Sequence, residues 1–183
     1  MGTPKKLFGQ DEIRLAIEKI AEKIALEFLK NNKQGDFVLV GLFKQGVPLA
    51  ERIRKVLQEK YNYSPELACL DISMYRDDFG LRSALPIINE TIIPFDMQEA
   101  NVMLVDDVLS TGRRIRAALN AVTDYGRPNL IRLAVLVDRN NSEYPIKADY
   151  IGFDIECSED YKVRVEFEEN DGIDLISKVS WKK

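Results

Sequence analysis

The chain has 183 residues, of which 45% are hydrophobic and 31% are charged, and its formal net charge is −4. The length suits one domain, since domains have roughly 100–200 residues, and the acidic balance does not favour nucleic acid as a partner. The absence of histidine excludes histidine triads and HExxH metal sites. The separated cysteines Cys69 and Cys157 indicate reduced thiols in a cytoplasmic protein. No apolar run approaches the roughly 20 residues that cross a bilayer, so no membrane partner is expected.

The first half of the chain alternates predicted helices and strands. Residues 10–30 have an apolar stripe at helical spacing and predict an amphipathic helix. Residues 37–42 predict a buried strand, and Pro48 suits the first turn of the helix that follows. The next strand is predicted over residues 66–72. A strand, a short glycine loop and a helix in this order favour phosphate binding, although a plain connection between elements has the same pattern.

Residues 79–98 predict a flap. The segment has no helical stripe and contains Gly80, Pro86 and Pro94. Long irregular segments in compact domains are usually functional or disordered. We therefore expect a mobile, hairpin-like flap, spanning about residues 74–98 with its base, which would exclude water from a reactive site.

The most informative stretch is residues 101–114. An apolar run at 102–105 predicts a buried strand, and Asp106 and Asp107 follow it directly. The small residues of the next loop lead into a predicted helix, an order that builds an anion site at the carboxyl end of a strand. Arg113 and Arg114 would cost about 0.3–1 kcal/mol each at a helix N-terminus, and a bound polyanion would reverse that cost.

The last part of the chain predicts more strands than helices. Apolar runs predict strands over residues 130–137 and 150–153. Alternation over 162–167 predicts a half-buried antiparallel strand, and 173–181 predicts a final strand. The expected fold is α/β in one domain over residues 1–183, with a parallel sheet, helices on both of its faces and a short β tail.

Two levels of family resemblance follow from these motifs. The stretch VMLVDDVLSTG at 102–112 resembles the phosphoribosyl pyrophosphate (PRPP) motif of type I phosphoribosyltransferases. The stretches LDISMYRDD (70–78), RLAVLVDRN (132–140) and PIKADYIG (145–152) resemble the pyrimidine operon regulatory protein family. The resemblance implies a type I phosphoribosyltransferase fold and conversion of uracil and PRPP to UMP and pyrophosphate. It also implies Mg²⁺ carried by PRPP without direct protein ligands, and a homodimer or larger homo-oligomer.

The resemblance also implies a role for each matching residue. Those expected to be catalytic are Asp106, Asp107 and Arg76, the two aspartates by holding the ribose hydroxyls. The PRPP site would comprise Asp106, Asp107, Val108, Leu109, Ser110, Thr111, Gly112, Arg113 and Arg114. The pyrophosphate loop would be Lys44, Gln45 and Gly46. The base would be bordered by Val137, Asp138 and Arg139. The flap base would contain Tyr75, Arg76, Asp77 and Asp78.

The chain departs from the family pattern at two places. Gln45 stands where the family usually has arginine, which favours a catalytically weak nucleotide sensor as an alternative to an active enzyme. The family's RNA-binding face is also unmatched, at Glu18, Glu22, Asn141, Ser142 and Phe153. Since carboxylates repel phosphate, RNA binding is doubtful, and an RNA-binding attenuator ranks third.

Overall fold

The computed structural model describes residues 4–30, 37–75, 89–158 and 160–180. Within these residues the strands are β1 (Lys5–Gly9), β2 (Val38–Leu42), β3 (Leu67–Leu70), β4 (Asn101–Leu109), β5 (Leu130–Asp138), β6 (Tyr150–Asp154), β7 (Tyr161–Glu166) and β8 (Leu175–Ser180). The helices are α1 (Gln10–Ala25), α2 (Gly46–Tyr61), α3 (Arg113–Thr123) and the short α4 (Glu168–Asp171). A π-helical turn at Leu26–Lys30 continues α1, and a 3-10 turn occupies Ser73–Tyr75.

The centre of the fold is a parallel sheet in the order β3-β2-β4-β5-β6. Alternate side chains of a strand face opposite sides of a sheet. Met103 and Val105 of β4 accordingly pack in the core that contains α1 and α2, whereas Val102 and Leu104 pack in the core that contains α3. The predicted α/β class, with helices on both faces of a parallel sheet, is confirmed.

The predicted β tail is part of a second sheet. Strands β7 and β8 pair antiparallel as expected, and β1 adds to β8, so the order is β1-β8-β7. The sequence analysis missed β1, where Lys5 pairs with Lys178. A strand that pairs with residues so far along the chain leaves little local signal.

Strand β4 is longer than predicted. It was expected to end at residue 105, but parallel pairing with β5 continues through Asp106 opposite Val135 and Leu109 opposite Asp138. The two aspartates are therefore strand residues rather than the first residues of a loop. Their backbone is fixed by the ladder on the β5 side, which limits how far they can move.

The predicted flap falls partly outside the described residues, because 76–88 are not among them. The described remainder lies against the sheet edge: Cys69 of β3 and Ile92 exchange two backbone hydrogen bonds of 2.9 Å. Met97 is buried. The Asp71 carboxylate accepts bonds from the N–H groups of Ser73 at 2.6 Å and Asn89 at 2.5 Å. Among the described residues, no helix has the length and apolar character needed to cross a bilayer.

Candidate active site

Three of the predicted stretches, the loop at 44–46, the motif at 106–114 and residues 137–139, lie at the carboxyl edge of the parallel sheet, where ligands bind in open α/β folds. Strand β2 ends there and leads into α2, and β4 ends there and leads into α3. Strand β5 ends beside β4, with Leu109 opposite Asp138. Three stretches that lie far apart in sequence thus meet at one edge.

The loop between β2 and α2 contacts the acidic strand directly. A Cβ atom on Gly46 would lie 2.4 Å from the Val105 carbonyl oxygen and 3.2 Å from the Asp106 Cα. Only glycine allows the two backbones to approach this closely. Lys44 is exposed in the same loop, and the peptide bond between Phe43 and Lys44 is cis. The loop therefore lies against the acidic strand and carries an exposed lysine.

The two aspartates differ in exposure. Asp106 is 0% exposed, and its Oδ2 lies 2.9 Å from Nε of Arg114. Burial raises the pKa of Asp106 well above its ordinary value, and the Arg114 guanidinium counteracts that rise. Asp107 keeps part of its surface. Both were expected to face the ligand, but in the described conformation only Asp107 retains accessible surface, because Arg114 and the neighbouring backbone enclose Asp106.

The loop after β4 turns sharply into α3. Gly112 caps the helix with a φ of 85°, a left-handed conformation that glycine adopts without cost. The N–H groups of Glu143 and Tyr144 donate to the Thr111 carbonyl at 2.9 and 3.1 Å. Arg113 is exposed and pairs with Glu143 at 2.5 Å. The predicted small-residue loop at a helix N-terminus is present, and a neighbouring segment braces it.

The residues expected to border a base are largely buried. Val137 is 0%, Asp138 7% and Arg139 8% exposed. The Arg139 guanidinium donates to Ser110 Oγ at 3.2 Å and to the Tyr161 carbonyl at 2.8 Å. Arg139 thus joins the loop after β4 to the start of β7. Val137 has no accessible surface, and its predicted contact with a base stays a prediction.

Gln45 makes contacts that the sequence did not predict. Its amide donates to Asp171 Oδ2 at 2.5 Å and to the Val165 carbonyl at 3.3 Å, and it accepts a bond from Asn170 Nδ2 at 2.9 Å. The amide expected to meet pyrophosphate is instead hydrogen-bonded to β7 and α4. These partners lie at least 120 positions away in sequence, so no local pattern could have revealed them.

We predict that Gln45→Met lowers the free energy of unfolding by about 1.5–4.5 kcal/mol, since three hydrogen bonds are lost and each contributes roughly 0.5–1.5 kcal/mol net. Urea unfolding measures the change. The matched control is Gln58→Met on α2. The Gln58 amide is exposed and makes one long hydrogen bond, of 3.5 Å, to Asn62, so the expected change is within about 0.5 kcal/mol. Equal effects in the two variants would show that the Gln45 bonds contribute nothing.

Only Tyr75 of the predicted flap base is described. Its hydroxyl donates to Asp124 Oδ2 at 2.6 Å, which raises the pKa of Tyr75 to about 12. Arg76, Asp77 and Asp78 lie outside the described residues. The tyrosine is therefore joined to the end of α3 rather than to the aspartate pair.

Comparison with known proteins identifies one family over most of the chain. Residues 9–171 match the phosphoribosyl transferase domain family. A protein of Roseiflexus sp. (strain RS-1) named bifunctional protein PyrR is 46% identical over 168 residues, covering 92% of this chain and 90% of that protein. One of the same name from Chloroflexus aurantiacus is 44% identical over 176 residues, covering 96% and 95%. Hypoxanthine phosphoribosyltransferase from Trypanosoma cruzi, in complex with the product IMP, has a similar fold: the TM-score is 0.72 and the identity 19%, covering 97% of this chain and 94% of that one.

Proposed function

This chain belongs to the phosphoribosyl transferase family, and on that premise we propose that it transfers the phosphoribosyl group of PRPP to uracil, forming UMP and pyrophosphate. The choice of uracil is supported by the similarity to proteins named bifunctional protein PyrR. The hypoxanthine enzymes share too little sequence to inform the choice of base.

One observation carries the proposal: two loops suited to different parts of PRPP meet beside the aspartate pair. The loop with Lys44 and Gly46 reaches the backbone at Val105 and Asp106, and the turn at Gly112 opens α3 nearby. PRPP has a phosphate on one side of its ribose and a pyrophosphate on the other. A cationic loop and a helix N-terminus flanking a carboxylate match that order of charges.

The chemistry asked of these residues is positioning. Asp107 accepts hydrogen bonds from ribose hydroxyls, and backbone N–H groups of residues 110–112 hold the 5-phosphate. A uracil nitrogen attacks the anomeric carbon as the bond to pyrophosphate breaks, and the proton of that nitrogen passes to the departing pyrophosphate or to water. Lys44 faces the negative charge that grows on the leaving group. Fixed charges that match this change in charge lower the barrier without a covalent nucleophile.

Mg²⁺ fits this arrangement as part of the substrate. In the part of the chain that the structure describes, no group of three or more carboxylate, cysteine or histidine side chains is placed to hold a metal. Mg²⁺ usually takes most of its ligands from substrate phosphates and water. The ion would neutralise the leaving pyrophosphate, with Asp107 as the partly exposed carboxylate at the site.

An assay with uracil, PRPP and Mg²⁺ tests the proposal by measuring UMP and pyrophosphate in equal amounts. Hypoxanthine and cytosine in place of uracil test the choice of base. We expect product with uracil and no product with hypoxanthine or cytosine. Turnover of another base but not of uracil would retain the family chemistry and reject the proposed substrate, whereas no product from any base would favour the nucleotide-sensor alternative.

Gln45 bears on that alternative. A glutamine in place of arginine would weaken an enzyme if the side chain had to meet pyrophosphate. Its amide is instead bonded to Asp171, Asn170 and Val165, and Lys44 remains the exposed cation of the loop. Because Lys44 can meet pyrophosphate while Gln45 holds the loop, an active enzyme is favoured over a sensor.

We also propose that the protein forms a homo-oligomer. Light scattering of the purified protein measures its mass and tests this.

RNA from pyrimidine operon leaders is expected to bind weakly, with dissociation constants of roughly 10⁻⁴–10⁻⁶ M at physiological salt, the range of nonspecific binding. Glu18 neutralises nearby cations by pairing with Arg14 at 2.8 Å and Lys60 at 2.7 Å. Phe153 stacks on Phe8 with ring centroids 3.9 Å apart. Filter binding measures the affinity. Nanomolar binding strengthened by UMP would instead establish the attenuator function.

A further inference from the structure

Arg114 has partners that its expected role does not explain. As the second residue of α3 it was expected to face a phosphate, but its Nε lies 2.9 Å from Asp106 Oδ2 and its Nη2 donates to the Phe43 carbonyl. One guanidinium therefore contacts both β4 and the loop after β2. Its side chain is 32% exposed, whereas that of Asp106 is 0% exposed.

The burial of Asp106 makes this contact necessary. An ionised carboxylate removed from water is costly unless it is paired. Neither Asp106 oxygen has a hydrogen-bond partner of good geometry among the described residues, so Arg114 is the neighbour that compensates for burial. The other charges nearby are negative: Asp107 follows on β4, and Asp71 lies after β3 near Arg114.

We infer that Arg114 is a positioning residue that supplies the counter-charge of Asp106 and ties the pyrophosphate loop to the acidic strand, rather than a ligand of phosphate. The planar guanidinium suits this task because its fixed donors can reach two acceptors at once. A lysine at this position would keep the charge but would present a single ammonium group. The part of the inference that concerns pyrophosphate rests on the proposed function.

The first experiment needs no substrate. Carbon-13 NMR of the aspartate carboxyl groups, with the Asp106 signal assigned by its loss in Asp106→Asn, gives the titration of Asp106 in the wild type, Arg114→Met and Arg114→Lys. In Arg114→Met the pKa of Asp106 is expected to rise by about one to three units, the usual effect of a neighbouring arginine. Arg114→Lys should titrate close to the wild type. An unchanged titration in Arg114→Met overturns the inference.

The second experiment measures calorimetric binding of PRPP and of pyrophosphate with Mg²⁺ at neutral pH. Arg114→Met should bind PRPP on the order of tenfold more weakly, because the loop after β2 and the acidic strand lose the side chain that joins them. Arg114→Lys should keep the Asp106 titration and still bind pyrophosphate several-fold more weakly, since the bond to Phe43 is lost. Wild-type affinity for pyrophosphate in Arg114→Lys overturns the role in the loop.

Three controls distinguish the role of Arg114 from a general effect of removing an arginine, from a failure to fold and from a failure of the proposed function. Arg14→Met removes an arginine on the exposed face of α1 that pairs with Glu18 at 2.8 Å. This variant should leave both measurements unchanged. If Arg114→Met does not fold, Asp106→Asn combined with Arg114→Met must fold, because the neutral amide needs no counter-charge, and failure of that double variant overturns the inference. A wild type that binds no PRPP rejects the proposed function, while the carboxyl titration still decides the role of Arg114.

Discussion

Asp107→Asn is expected to lower kcat/KM for PRPP by about 10²–10⁴-fold. The carboxylate keeps accessible surface beside the two loops and is proposed to accept bonds from ribose hydroxyls. A hydrogen bond to a charged group contributes roughly 1.5–3 kcal/mol, and two such bonds correspond to that range of rates at 1.4 kcal/mol per factor of ten. Calorimetric titration with PRPP should show a loss of affinity of similar size, because the bonds form in the ground state as well.

A matched control keeps this result specific. Asp11→Asn changes a carboxylate that is 92% exposed and lies 3.9 Å from Arg14, so its kinetic effect should be within experimental error. Circular dichroism of Asp107→Asn should match the wild type, since Asp107 forms no buried ion pair with any residue that the structure describes. Unchanged PRPP affinity in Asp107→Asn would remove the proposed contact with ribose.

Gly46→Ala is expected to have the second largest effect. The new Cβ would stand 2.4 Å from the Val105 carbonyl oxygen, which is backbone and cannot rotate away. Overpacking of this kind costs about 1–3 kcal/mol of stability. A displacement of the loop by about 1 Å can lower turnover about 100-fold. Urea unfolding and pyrophosphate release measure the two effects separately.

The control for this glycine is Gly172→Ala. Gly172 has a φ of 73° but no atom within 4 Å of its Cβ position. Alanine there introduces backbone strain of about 1–2 kcal/mol without a collision, so stability should fall slightly and turnover should not change. A Gly46→Ala enzyme with wild-type turnover would show that the loop does not need its close approach to β4.

The sequence predicted the parallel sheet because its buried strands are continuous apolar runs, a local signal. It failed where contacts join distant residues. It indicated that Arg113 and Arg114 need a nearby anion, and the structure supplies anions in Glu143 and Asp106. Each arginine pairs with a carboxylate of the chain itself, and the predicted contact of these arginines with PRPP stays a prediction. Spacing along the chain could not distinguish the two kinds of anion.

Long-range polar contacts explain the other differences. Gln45 was judged by its place in a loop, but its partners belong to β7 and α4. Strand β1 was missed because its partner, β8, lies at the other end of the described chain. Asp106 was expected to hold a ribose hydroxyl, but the structure buries it beside Arg114. Each of these outcomes depends on tertiary packing, which no window of neighbouring residues contains.

The attachment of β7 has a consequence for the dimensions of the site. The carbonyl of Tyr161 is held by Arg139, and that of Val165 is held by Gln45. Four residues of extended strand span about 13 Å at 3.3 Å per residue. The strand therefore fixes the distance between the end of β5, proposed to border the base, and the pyrophosphate loop. Because the length of the strand depends on its number of peptide units, side-chain substitutions in β7 leave this distance unchanged. A one-residue insertion between the two attachment points would change it.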